Sequence, residues 1–122
     1  QRVLQLEPTH GDAQSQLAFV DLKQGSREPA LREAEAAVRM APDSFLSHNA
    51  LGWALLANGQ LDRAIEEMRI SARLAPETPV THFSLAQAYK AAGKSADAQK
   101  EMTRFETLNT ASKPGGKATD KN

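Results

Sequence analysis

Cysteine is absent from this chain of 122 residues, which excludes disulfides, thiolate metal sites and a cysteine nucleophile. Charge of one sign is lacking too. Lys+Arg and Asp+Glu both number 15, for a formal charge of +0, so no long-range field favours nucleic acid or an anionic membrane. No apolar run approaches the roughly 18 residues that a membrane span needs. Aromatic content is only 5%, while alanine is abundant, a composition that suits helices approaching one another closely. No stretch alternates apolar and polar residues as a half-buried strand would. Length and composition together fit one helical domain.

What is present is a repeat. Leu17, Leu51 and Leu85 recur at 34 residues, as do Gly25, Gly59 and Gly93, then Ala30, Ala64 and Ala98, then Met40, Leu74 and Leu108. A period of this length, held without insertion, marks a stacked-repeat protein. Within each period the punctuation is helical. A glycine just past the last turn closes the first helix. Ser26, Ser44 and Thr78 are candidate N-caps, Pro79 sits at a first helical position, and Pro42 and Pro76 stop second helices. Six helices follow, in three helix-turn-helix units over residues 9–44, 45–78 and 79–109. Residues 1–8, with Val3, Leu4 and Leu6 before Pro8, read as the end of a preceding repeat's second helix. Residues 110–122 read as a flexible tail without an apolar anchor.

The residues in this register resemble the tetratricopeptide repeat, whose signature is W-x2-L-G-x2-Y, then A-x3-F, then P. The second unit gives His48-x2-Leu51-Gly52-x2-Leu55, Ala64-x3-Met68 and Pro76. The third gives His82-x2-Leu85-Ala86-x2-Tyr89 and Ala98-x3-Met102, with Thr110 in place of proline. The first gives Gln14-x2-Leu17-Ala18-x2-Asp21, Ala30-x3-Ala34 and Pro42. The resemblance implies an all-α solenoid of three stacked helical hairpins, preceded by a partial helix. Asp21 stands where a large apolar residue is usual, so it is expected at an open junction or beside a donor.

Helix geometry separates folding from function. At about 100° per residue, His48, Leu51, Gly52 and Leu55 share one stripe, and Leu46, Asn49, Trp53 and Leu56 lie on another about 140° around. The resemblance assigns the first stripe to packing and the second to a concave groove that binds peptides or helices. Carrying the register across gives a candidate partner-binding groove of Phe19, Leu22, Lys23, Leu46, Asn49, Trp53, Leu56, Val80, Phe83, Gln87 and Lys90. Its apolar, aromatic centre is the mark of a contact surface. Packing of Trp53 on Phe83 between repeats is the alternative use of the same residues. The clamp by which some members of this family grip acidic C-termini needs Lys, Arg and Asn. The corresponding residues here are Ser15, Phe19, Ala50, Val80 and Ser84, so that use is not expected.

Catalytic chemistry finds no constellation, and no cofactor is expected. His48 and His82 occupy equivalent places in separate repeats with no third ligand at metal spacing, so a structural role is expected of them. Ser44, Ser47 and His48 lack an acid to orient a base. Gly115-Gly116-Lys117-Ala118-Thr119 lacks the leading glycine, strand and helix of a phosphate loop. The expected function is that of a non-catalytic scaffold binding a protein or peptide through the groove. The alternatives are self-association, through the groove or the N-terminal apolar edge, and a spacer or substrate-positioning segment of a larger enzyme. On the last helix Gln99, Lys100, Thr103 and Glu106 are polar, which marks the outer side of a terminal repeat.

Overall fold

The computed structural model describes residues 2–111, with side chains from His10 onward, and within them the chain forms six helices and no strand. These are α1 (Arg2–Lys23), α2 (Arg27–Met40), α3 (Phe45–Ala57), α4 (Leu61–Leu74), α5 (Pro79–Ala91) and α6 (Ser95–Ala111). Each hairpin turns on a glycine in the left-handed region, with φ of 82° at Gly25, 80° at Gly59 and 78° at Gly93. The next residue's N–H then reaches back to the helix: Ser26 N to Asp21 O at 2.8 Å, Gln60 N to Leu55 O at 2.9 Å and Lys94 N to Tyr89 O at 2.8 Å. This closure satisfies carbonyls that the helix end would otherwise orphan. Of the three expected caps only Ser44 acts through its side chain, accepting from Leu46 N at 3.2 Å; Ser26 and Thr78 hold the position without that bond.

α1, α3 and α5 lie against one another in sequence, whereas α2, α4 and α6 each touch only first helices. The first helices therefore share one side of the array and the second helices the other. The core is built for close approach: Ala18, Ala30, Ala34, Ala50, Ala54 and Ala64 are buried around Leu51 and Leu55. A second cluster joins Ile65, Met68, Leu85 and Ala88. Gly52 is part of this economy, because a Cβ there would lie 2.5 Å from Met68 Cγ. At native packing density such an overlap forces a shift.

Two expected boundaries are not where the sequence places them. α1 runs unbroken from Arg2 through Pro8 and Gly11, so residues 2–8 continue into the first helix of the first repeat instead of ending a separate helix. Proline's fixed φ of about −65° lies within the helical range, so Pro8 costs a hydrogen bond without dictating a turn. Among the described residues no element on that side offers a surface to fold back upon. At the other end α6 continues to Ala111, past the boundary expected at residue 110. The remainder of the expected tail lies outside the described residues.

Candidate functional site

The side of the array shared by α1, α3 and α5 carries a cleft of about 620 Å³ lined by Phe19, Val20, Leu22, Lys23 and Trp53. Four of the five are residues that the register assigned to the groove. Val20 is the one it missed, an exposed residue next to Phe19. Trp53 is half-buried, and its Nε1 donates to Ser84 Oγ at 2.9 Å, which ties the indole across to α5. Its ring also packs on the cluster around Met68 and Leu85. Phe19, Leu22 and Leu56 pack in turn on the alanine-rich cluster.

The other expected groove residues scatter in exposure. Lys23, Val80 and Lys90 are exposed, and Leu46, Phe83 and Gln87 are half-buried. Asn49 is only 4% exposed, and its Oδ1 is buried with no hydrogen-bond partner among the described residues. It belongs to the packing between helices rather than to an open wall. Phe83 does not pair with Trp53. Its partner is Phe105 on α6, at 5.4 Å between ring centres and 51° between planes, a tilted geometry that aromatic quadrupoles favour.

The two signature-position histidines build an electrostatic seam on the packing side. His48 Nδ1 lies 2.7 Å from Glu67 Oε1 and Nε2 lies 2.6 Å from Pro42 O. His82 repeats this with Glu101 Oε1 at 2.7 Å and Pro76 O at 2.7 Å. A carbonyl and an ionised carboxylate both only accept, so the surroundings of His48 favour a ring that donates from both nitrogens. The Glu67 hydrogen bond accordingly raises the His48 pKa above its ordinary 6.5, against burial, with further help from the Pro42 carbonyl. Each histidine thus ties its own repeat's second helix to the end of the repeat before.

In the first repeat Gln14 and Glu33 occupy the places of the histidine and its carboxylate, and the Oε1 atom of each is buried with no hydrogen-bond partner among the described residues. Burial raises the Glu33 pKa, and Asp21, hydrogen-bonded beside it, raises it further. Of the two expectations for Asp21, the nearby donor fits: it faces the Glu33 carboxyl, whose raised pKa favours the protonated form that can donate.

An array of helical hairpins with an apolar cleft on its shared face defines a class of repeat proteins that work as protein-interaction modules. The tetratricopeptide repeat model matches residues 16–79, and the chain belongs to that family. A comparison with curated protein sequences finds no match. Among solved structures, the chain is similar to the Yersinia enterocolitica type III secretion chaperone SycD in complex with a peptide of the translocator YopD. The identity is 25% and the TM-score 0.72, over 89% of this chain and 82% of that one. It is similar to MamA (41-end) from Desulfovibrio magneticus RS-1, 29% identical with a TM-score of 0.75, over 91% of this chain and 63% of that one. The second tetratricopeptide domain of Spaghetti (RPAP3), bound to the HSP90 peptide SRMEEVD, shares the fold at 14% identity and a TM-score of 0.78, covering 88% and 99%.

Proposed function

We propose that this chain is a non-catalytic module that holds a segment of a partner polypeptide along the face shared by α1, α3 and α5. The observation that carries the reading is the cleft lined by Phe19, Val20, Leu22 and Trp53, apolar nearly throughout, with Lys23 as the one cation in its lining. Its chemistry fits a large apolar anchor residue followed by a carboxylate or a C-terminal carbonyl within reach of the lysine. The peptide held by SycD supports the reading by likeness of fold. Trp53 presents a fixed surface because Ser84 holds its Nε1, so little side-chain entropy is lost on binding. Of the remaining groove residues, Leu46, Leu56, Val80, Gln87 and Lys90 extend the same face, whereas Phe83 is taken up by Phe105 of α6.

Gripping an acidic C-terminus in the manner that the RPAP3 complex names does not fit. At the corresponding positions Ser15 donates to Gly11 O at 3.0 Å, Ser84 is engaged by Trp53, and Ala50 is buried. None of the three offers a cation.

Trp53 is the chain's one tryptophan, so its fluorescence reports on the cleft directly. Peptides selected from a display library should shift Trp53 emission on binding. Val20→Asp should weaken them at least about tenfold, the effect of roughly 1.4 kcal/mol, with the thermal melt unchanged. Peptides that bind with no change in emission and tolerate Val20→Asp would place the interaction elsewhere. A second reading, self-association through the first repeat, is favoured by the exposure of Leu17, Val20 and Met40. Sedimentation that shows a monomer at high concentration removes it.

A further inference from the structure

The geometry points to an oxyanion-binding cleft on the opposite side of the array, where α4 and α6 flank α5, suited to a phosphoryl group. The cleft, about 470 Å³, is lined by Arg69 and Arg73 of α4, Arg104 of α6, His82, Tyr89 and Glu101. Arg69 and Arg73 are four apart on one helix and so project together. Arg104 faces them from the second helix of the next repeat. Glu101 is the one carboxylate in the lining, and its Oε1 is taken by His82 Nδ1 at 2.7 Å. Among the described residues none of the three arginines holds an ion pair. Glu66 and Asp97 lie near enough to act on the Tyr89 hydroxyl, as Arg69 does, but outside the cleft lining.

The repeat supplies an internal control. One period earlier, at the junction of the first two repeats, the same backbone positions carry Glu35, Arg39, Leu55 and Ile70 in place of Arg69, Arg73, Tyr89 and Arg104. The histidine and its glutamate are kept at both junctions, as His48–Glu67 and His82–Glu101. Packing therefore does not require arginine at the places of Arg69 and Arg104, since the other junction forms with Glu35 and Ile70 there. Three guanidiniums around one open cleft repel each other until an anion enters. Their planar forks match the paired oxygens of a phosphoryl group, and the Tyr89 hydroxyl adds a donor at the wall. A single carboxylate brings one negative charge and two oxygens; a phosphate monoester brings about two charges and three free oxygens, and a diphosphate more of both, which suits three forks better.

The test is a ¹⁵N NMR titration of the full chain with pyrophosphate at low salt, against sodium chloride of matched ionic strength. Saturable shifts centred on Arg69, Tyr89 and Arg104 are expected with pyrophosphate alone. Arg69→Ala and Arg104→Ala should each weaken binding about tenfold, as the loss of a charged hydrogen bond would. Arg73→Lys should weaken it less than Arg73→Ala, and Arg39→Ala, at the other junction, should not weaken it. The arginines are exposed, so the variants should melt as the parent does. A phosphoserine peptide and its serine counterpart separate the sources of the group: binding of the phosphopeptide identifies a modified protein, binding of pyrophosphate alone a free anion. Shifts that never saturate, that spread over all basic residues, or that ignore the Arg69 and Arg104 variants overturn the proposal.

Discussion

The second and third repeats each grip the repeat before them with a hydroxyl and a histidine, and the first repeat has neither. Ser47 Oγ donates to Ala41 O at 2.6 Å and Thr81 Oγ1 to Ala75 O at 3.1 Å. His48 and His82 reach the carbonyls one residue further on, at Pro42 and Pro76. One period earlier stand Ala13 and Gln14. The apolar side of the comparison agrees: Leu17 is 46% exposed, whereas Leu51 and Leu85 are 3% and 4% exposed. The difference teaches what the polar seam is for. It fastens a repeat to a turn, and where α1 runs on through Pro8 there is no turn to fasten to.

The largest effect should come from cutting the seam. His48→Ala removes two bonds and leaves Glu67 without its partner, which should cost about 2–3 kcal/mol at pH 6 by urea denaturation. Gln14→Ala should cost under about 0.5 kcal/mol, since its Oε1 has no bond to lose. Equal costs would break the comparison. The pH dependence sharpens it. The folded pKa of His48 lies above its unfolded value near 6.5, so the stabilisation is fully present below 6.5. It is lost as pH rises through the folded value, and the gap between parent and His48→Ala should close over that window.

A smaller effect should be uniform across the molecule. Gly25, Gly59 and Gly93 share one conformation, so alanine at any of them should cost about 1–2 kcal/mol through the strain of positive φ. Thermal melts of Gly25→Ala and Gly59→Ala check this. If Gly25→Ala proves much cheaper, the first repeat is already loose at its own turn and the difference extends beyond the seam.

These contrasts also show what was legible in the sequence. Helix number, the glycine turns and the hairpin pairing are local signals repeated three times, and so they could be read. Helical periodicity separates the stripe of Trp53, Phe19 and Leu22 from that of Leu51 and Leu55, while only the family resemblance assigns that stripe to a groove. The continuation of α1 was not readable, because Pro8 copies the register of Pro42 and Pro76 while its surroundings do not. The pairing of Phe83 with Phe105 rather than Trp53 depends on tertiary position across α5 and α6. Asn49 lay on the groove stripe by angle, yet it is buried, since a stripe has edges that neighbouring helices cover. The seam itself did leave a signal: histidine and glutamate stand 19 residues apart in both repeats, as His48–Glu67 and His82–Glu101. A structural role for the histidines is expected from sequence, but without a named partner, because the two residues stand on different helices and no local pattern joins them.

The smallest expected effect tests whether the first repeat can be given what its neighbours have. Glu33 carries a folded pKa raised above its ordinary 4.5, by burial first and by Asp21 second. A carboxyl shifted in that direction contributes stability below its unfolded value and loses it as pH rises through the folded one. At neutral pH it is therefore a weak point. Glu33→Gln should stabilise the chain there by less than about 1 kcal/mol and flatten the melting temperature across that acidic window. Gln14→His should act in the same direction by giving Glu33 the donor that Glu67 and Glu101 possess. Its gain should be smaller than the loss in His48→Ala, because the helical Pro8 offers the second ring nitrogen no turn to grip. If Gln14→His instead matches the full effect of His48, α1 must bend at Pro8 once the histidine is present, and the contrast between the repeats would rest on Gln14 alone.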